Sequence, residues 1–356
     1  MSRAWKIALT VAAGLVLLGL ALWGVDLRAM RAHMARANPV YIGGAAALYL
    51  LAYFIRSLRW RLVLRPVARI SVSEGYSMLM AGYFLNYVIP VRAGEVAKSF
   101  FLKRLKGVPV ATSLPTVFVD KLLEMVSIVF IVIMVPVLSV RLTGALAGLI
   151  YVLSALFLVA CAVLVLAYVK EEATTRLLCA AFAWLPARVH ERLSEWIGLF
   201  VRGMSVAKHN ATAFLPLLAL TAASVLVDAA YFLLMFRAFA VDVGFVRVLF
   251  GYTLLTLSYI LPTPPAQIGY NELVIGLIFA GGLTGAAIAR DQVMAVVIVA
   301  HAITALLITG VGLWGFWAMG IRVTDSFRRA SEHKDVEAAE QVEIRGCPNP
   351  GPGEDE

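Results

Sequence analysis

Charge is scarce in this chain. Asp, Glu, Lys and Arg make up 15% of its residues, against roughly 25% in soluble domains. Together with a 61% hydrophobic content, that shortage excludes an ordinary soluble globule and indicates an integral membrane protein. Cysteine is nearly missing as well. Cys161, Cys179 and Cys347 share no CxxC or metal spacing, and the two in or beside apolar segments read as small hydrophobes. Enzyme signatures are scarce: there is no HExxH, G-x-S-x-G or GxxxxGK[ST], and no polar stretch is long enough for a soluble catalytic domain. The sequence therefore offers no catalytic residue, no metal site and no cofactor, and it argues against ATP-driven transport by this chain alone. Acidic residues are outnumbered, 22 to 31, giving a net charge of +9. In a membrane protein such an excess marks cytoplasmic loops beside anionic lipid rather than a nucleic-acid partner.

What is plentiful is long apolar sequence. A helix needs roughly 20 mostly apolar residues to cross the hydrocarbon, and full spans are expected at about 7–25, 39–56, 113–138, 145–169, 211–239 and 291–319. The first is too long, and lacks the A-x-A site, for a cleaved signal peptide. Two further apolar stretches, 75–102 and 248–282, are broken in the middle by Pro and Gly. Basic flanks, "RSLRWRLVLRPVAR" (56–69) and "KRLK" (103–106), put both ends of the first on the cytoplasmic side. The less basic flanks of the second put both its ends outside. Both broken stretches then read as re-entrant hairpins, and N- and C-termini are cytoplasmic in a cell (inner or plasma) membrane.

The expected architecture is an all-α integral membrane protein, six full spans plus two re-entrant helical hairpins in an inverted repeat. Residues 1–320 form the membrane domain, 171–209 an amphipathic cytoplasmic helix pair at the interface, and 321–356 a polar, disordered cytoplasmic tail. One segment runs against the charge rule. "DLRAMRAHMARAN" (26–38) carries Arg28, Arg31 and Arg36 on the outer side, where only a position along the outer headgroups accommodates it.

The broken stretches resemble each other. "GYFLNYVIPVRAGE" (82–95) and "GYTLLTLSYILPTPPAQIGYNE" (251–272) both start Gly-Tyr, run apolar to a proline, turn through glycine and reach a glutamate. The breakers are Pro90 and Gly94 in one, and Pro262, Pro264, Pro265 and Gly269 in the other. Downstream, "VFVDKLLEM" (117–125) lies against "VIVAHAITA" (297–305), pairing Lys121 with His301. An odd number of spans separates the copies, so they are inverted. Broken segments at matching positions in two halves point to a transporter's binding site. Interrupted backbone deep in a membrane must be satisfied by protein or water, and half-helix ends carry partial charge. The rival reading is a pair of proline-kinked spans.

The candidate head-group residues are Asn86, Arg92, Glu95, Lys98, Asp120, Lys121, Glu124, Glu272 and His301. Arg92 can grip a phosphate with its fork while Glu95 orients it or exchanges a proton. Equally, Arg92 and Glu95 can form a structural pair, with Lys98 snorkelling toward the basic loop. Asp120 and Glu124 share a helix face, and Lys121 lies about 100° round. They complete a charge network or sit in the inner interface. Asp228 is ambiguous. Arg56, Arg59 and Trp60 read as positive-inside anchors in an aromatic belt rather than ligands.

"RSLRWRLVL" (56–64), "NYVIPVRAGEVAK" (86–98), "VFVDKLLE" (117–124) and "LPTPPAQIGYNE" (261–272) together resemble the flippase-like family, also called the lysylphosphatidylglycerol synthetase transmembrane-region family, over about residues 5–320. The resemblance implies a multi-span inner-membrane protein with re-entrant segments that moves or handles lipids. The family's central motif falls on Asn86, Pro90, Arg92, Gly94 and Glu95, and its later motif on Pro262, Gly269 and Glu272. Relatives more often carry glycines where this chain has Pro264 and Pro265. Namesake members add an aminoacyl transferase domain that is not seen in this sequence, so lysyl transfer is not implied. The expected partner is membrane lipid with an anionic head group, as phospholipid or lipid-linked envelope precursor. A homo-oligomer or envelope-lipid biosynthesis proteins are further possible partners. The alternatives are an intramembrane lipid-modifying transferase and a non-transporting scaffold.

Overall fold

Helix caps written into the sequence divide the chain where its apolar runs end. In a computed structural model, described for residues 3–89, 93–124, 170–184, 214–259, 263–284 and 288–322 with scattered single positions between 152 and 198, the described secondary structure is helical throughout. Helix α1 (Arg3–Leu22) stops before Gly24, whose φ of +73° suits glycine at a helix end. Asp26 then caps α2 (Leu27–Ala35), accepting from the N–H groups of Arg28 and Ala29 at 2.8 and 3.1 Å. The two helices meet at 90°, so the arginine-rich segment that broke the charge rule runs across the first span's direction and packs on the last helix.

Asn38 caps α3 (Pro39–Leu64), with proline at its first turn. Ser71 and Glu74 form a capping box on α4 (Val72–Val88), which is followed by α5 (Ala93–Lys106) and α6 (Val110–Glu124). Beyond these lie α7 (Glu171–Ala181), α8 (Phe214–Ala238), α9 (Phe245–Ser258), a 3-10 turn at Pro265–Gln267, α10 (Tyr270–Phe279) and α11 (Arg290–Ala318). Among the described residues, α3, α8 and α11 are long and apolar enough to cross a membrane, and the bent α1–α2 pair makes a fourth candidate. The expected span at 145–169, the second half of 113–138, most of the interfacial pair at 171–209 and the tail beyond 322 lie outside the described residues. Cys179, expected to be a simple hydrophobe, is buried and disulfide-bonded.

Both broken stretches fold as antiparallel helical hairpins. In α4–α5, Glu74 meets Lys106 at 2.8 Å across the open ends, and Asn86 accepts from the Gly94 N–H at 2.8 Å near the tip. Between them the backbones touch: a Cβ on Gly94 would collide with the Gly82 carbonyl. In α9–α10, Gly251 lies under the Phe279 ring at the open end. Tyr259 stacks on Tyr270 with centroids 6.1 Å apart at the tip. At 1.5 Å per residue none of these four helices reaches about 30 Å, so a hairpin that turns back suits their length. α1 closes the second hairpin from behind, with the Gly14 carbonyl and Leu18 N–H against Gly269 (φ +77°). The tight approach leaves no room for a side chain there. One buried apolar cluster runs through α3, α4, α8, α9, α10 and α11.

Candidate functional site

The two hairpin tips share one cavity. It encloses about 420 Å³ and is lined from the first hairpin by Asn86, Tyr87 and Glu95, and from the second by Tyr259, Gln267 and Asn271. α3, α6, α8 and α11 supply the rest of the wall. That volume lies in the range of small-ligand sites. Seven tyrosines line it: Tyr49, Tyr53, Tyr83, Tyr87, Tyr231, Tyr252 and Tyr259. Their rings pack on one another, with Tyr49 and Tyr53 4.8 Å apart and Tyr53 edge-on to Tyr83 at 4.7 Å, so the wall is stiff and amphipathic.

The charged residues form one network behind and along the first hairpin. Arg59 Nε donates to Asp120 Oδ1 at 2.8 Å, and its Nη2 reaches Glu124 at 3.4 Å. Lys98 Nζ lies 2.8 Å from Glu95 and 3.4 Å from Asp120. Lys121 Nζ lies 2.6 Å from Glu124 and 3.4 Å from Glu95. The Arg59, Lys98 and Asp120 side chains are at most 3% exposed. One of the sequence alternatives is thereby corrected. Lys98 does not snorkel to the loop; it is held across the hairpin by two carboxylates and lies over the Trp60 ring. Asp120 and Glu124 both join the charge network: stripping water from a charge costs several kcal/mol unless a partner meets it, and here each has partners.

Arg56 and Arg59 were the residues that the sequence reading undervalued. Read as anchors, they face inward: Arg56 binds Asp228 and the Tyr252 hydroxyl, and Tyr252 in turn donates to Asp228 at 2.6 Å. Trp60 is wholly buried rather than part of a belt. The signal that could have found Arg56 was Asp228, a lone carboxylate inside an apolar span, which demands a cation nearby.

Glu272 stands just behind the wall, with its side chain 5% exposed. Its Oε2 accepts from the Gly269 N–H at 2.8 Å, and its Oε1 lies 2.6 Å from His301 Nδ1. The pairing of Lys121 with His301 suggested by the repeat carries through to contacts: each base meets the glutamate of its own hairpin, Lys121 with Glu95 and His301 with Glu272. Tyr83 and Tyr252, which follow the matching glycines, each donate to a carboxylate, Glu124 and Asp228. Pro264 and Pro265 flank the second tip, while Pro90, Arg92 and Pro262 lie outside the described residues. Among the described residues no cluster of His, Cys, Asp and Glu is arranged to hold a metal.

Comparison with known proteins adds the family. Glycosyltransferase AglD of Haloferax volcanii is 25% identical over 127 residues, 33% of this chain and 20% of the relative. The chain therefore matches a fifth of that protein's length. No solved structure matches. The profile of the lysylphosphatidylglycerol synthase TM region matches residues 5–312, nearly the whole chain, and this membrane protein belongs to that family.

Proposed function

We propose that the chain is a lipid transporter of the cell membrane, a flippase that takes a lipid head group into the cavity between the hairpin tips while the acyl chains stay in the bilayer. The observation that carries this reading is the shared cavity: both hairpins, together with the helices between them, build one chamber that carries charged and hydroxyl-bearing side chains inside an apolar helical body. In this reading the hairpins re-enter from opposite faces as inverted copies, and both termini are cytoplasmic. The matched contacts Glu95–Lys121 and Glu272–His301 support equivalent roles for the two halves.

The wall also bears on the head group. Arg56, Arg59 and Lys121 each already face a carboxylate, so a bare anion would have to displace one. Tyrosines, Asn86, Asn271 and Gln267 offer hydroxyls, amides and flat apolar faces, which suit a polyhydroxylated group. Of the two expected classes, the lipid-linked precursor fits better than the simple anionic phospholipid, and a relative that is a glycosyltransferase is in keeping with a sugar-bearing lipid. A transferase in place of a transporter would need a free base at Glu95 or Asp120, whereas Asp120 is held between Arg59 and Lys98 and Glu95, on the cavity wall, between Lys98 and Lys121.

The test uses protein reconstituted in phosphatidylcholine vesicles with two probes, head-group-fluorescent phosphatidylglycerol and a fluorescent polyprenyl phosphohexose, and reads their access to a membrane-impermeant quencher. The sugar probe should cross faster than in empty vesicles, and Asp228→Asn should slow it at least about tenfold, the loss expected when about 1.4 kcal/mol of head-group interaction goes. No acceleration of either probe would refute transport. A covalently altered probe would establish the transferase instead.

A further inference from the structure

His301 is hydrogen-bonded on both ring nitrogens, and both partners are acceptors. Nδ1 lies 2.6 Å from the Glu272 carboxyl and Nε2 lies 2.7 Å from the Ala266 carbonyl oxygen. A carbonyl oxygen can only accept, so Nε2 carries a proton. The 2.6 Å contact needs a second proton between Nδ1 and Oε1. The pair therefore holds one proton more than a neutral imidazole beside a carboxylate, whether written as imidazolium–carboxylate or as imidazole–carboxylic acid. Without that proton, one of the two contacts becomes lone pair against lone pair inside a site at most 10% exposed.

The carbonyl that His301 holds belongs to strained backbone. Ala266 and Gln267 sit at φ +53° and +58°, a region that costs side-chain-bearing residues of order 1–3 kcal/mol each. The Gln267 and Ile268 N–H groups donate to the Pro264 and Pro265 carbonyls at 2.9 and 3.4 Å, and α1 and α4 pack against the turn. Gln267 accepts from Asn271 at 3.0 Å, and Glu272 holds the next turn through Gly269. The proton on the pair thus adds a tie between α11 and this strained turn.

We infer that Glu272–His301 is a proton-binding site whose occupancy latches the tip of the second hairpin, making the proton the coupling ion of transport. This rests on the transport reading above. Water gives one proton to the pair as the tip closes and recovers it as the tip opens, with no other chemistry. The groups that face the pair do not substitute for it. Tyr87 of α4 stands edge-on to the His301 ring at 6.3 Å, Tyr231 of α8 donates to the adjacent Ala300 carbonyl, and Tyr259 of α9 donates to Asn271. α1 presents the Gly14 carbonyl, the Leu18 N–H and the apolar Leu17 side chain. The other ionisable groups of the cavity, Arg56, Arg59, Glu95, Lys121, Glu124 and Asp228, are engaged with one another.

The test does not depend on transport. Gln267→Cys in the full chain is labelled by a water-soluble maleimide across pH, normalised to Thr304→Cys on the same cavity wall to remove the intrinsic pH dependence of the thiol. Once release begins, the ratio should rise about tenfold per pH unit, the slope of one linked proton, and adding Glu272→Gln should flatten it. A flat ratio in the otherwise unaltered protein overturns the site, even if Glu272→Gln fails to fold. The vesicle assay is then run with an imposed pH gradient. Probe movement that follows the gradient supports coupling, and movement indifferent to it overturns coupling. A pH-dependent ratio with no movement of either probe supports the latch and counts against the transport reading instead.

Discussion

Asp120 is the carboxylate on which two buried cations converge, and replacing it by asparagine tests whether the network behind the first hairpin is structural. Arg59 and Lys98 are 1% and 2% exposed and reach Asp120 at 2.8 and 3.4 Å. Breaking one partner of a buried pair costs about 3–5 kcal/mol. Here the lower end applies, about 3 kcal/mol, because Arg59 keeps Glu124 and Lys98 keeps Glu95. At about 2.1 cal/mol/K of unfolding entropy per residue, a 356-residue chain shifts by about 1.3 °C per kcal/mol, so the melting temperature of detergent-solubilised Asp120→Asn should fall by about 4 °C. Removing both charges is a different matter. Arg59→Met with Asp120→Leu leaves Lys98 on Glu95 and should recover to within about 1 kcal/mol of the parent, since apolar replacement of a whole buried pair is often neutral. The reasoning is refuted if Asp120→Asn loses less than about 0.5 kcal/mol, the range of a surface substitution, or if the double variant shows the two single losses added together.

Other expectations concern the hairpins. Gly94→Ala drives a methyl into the Gly82 carbonyl, where neither backbone can yield, and should cost about 2–3 kcal/mol. Gly251→Ala meets the Phe279 ring, which can turn, and should cost less; equal losses in thermal unfolding would contradict the difference. At the open end of the first hairpin, the bonds from Lys106 and the Ser71 N–H hold the Glu74 carboxyl below its ordinary range. A lowered folded pKa means that the contribution is present at neutral pH and is lost as pH falls through that range. With Glu74 and Lys106 each about one-third exposed, it is worth no more than about 0.5 kcal/mol. Glu74→Gln should therefore lower stability slightly at pH 7 and not at all near pH 3, as read by denaturant unfolding at both values.

Much of this architecture was legible because its causes are local. Asp26, Asn38 and Ser71 are capping residues at helix starts, and the Gly-Tyr…Pro…Gly…Glu pattern announced the hairpins through backbone chemistry alone. The alignment of the two stretches set Lys121 against His301, and each of these lies beside a glutamate of its adjoining broken stretch, Glu95 and Glu272. What the sequence concealed are partnerships set by packing between distant helices. Arg56 and Asp228 are separated by 172 positions and Arg59 and Asp120 by 61. They meet because α3 lies along α8 and crosses α6. The arginines' place beside a basic loop favoured an anchoring role, and only the helix packing turns them inward. The tyrosine wall was hidden for the same reason, since aromatic residues at apolar positions look like ordinary core until their hydroxyls are seen to share a chamber.

The central claim is that a head group enters the chamber between the hairpin tips. Site-specific photocrosslinking tests it, with a photoreactive residue placed at Tyr87 or Asn271 inside the chamber and at Leu306, which is 74% exposed on the outer surface of α11. Vesicles carry lipids labelled in either the head group or the acyl chain. The account predicts head-group adducts at Tyr87 and Asn271 and acyl-chain adducts at Leu306. Acyl-chain adducts inside the chamber, or no head-group adducts there while Leu306 still captures lipid, would contradict it.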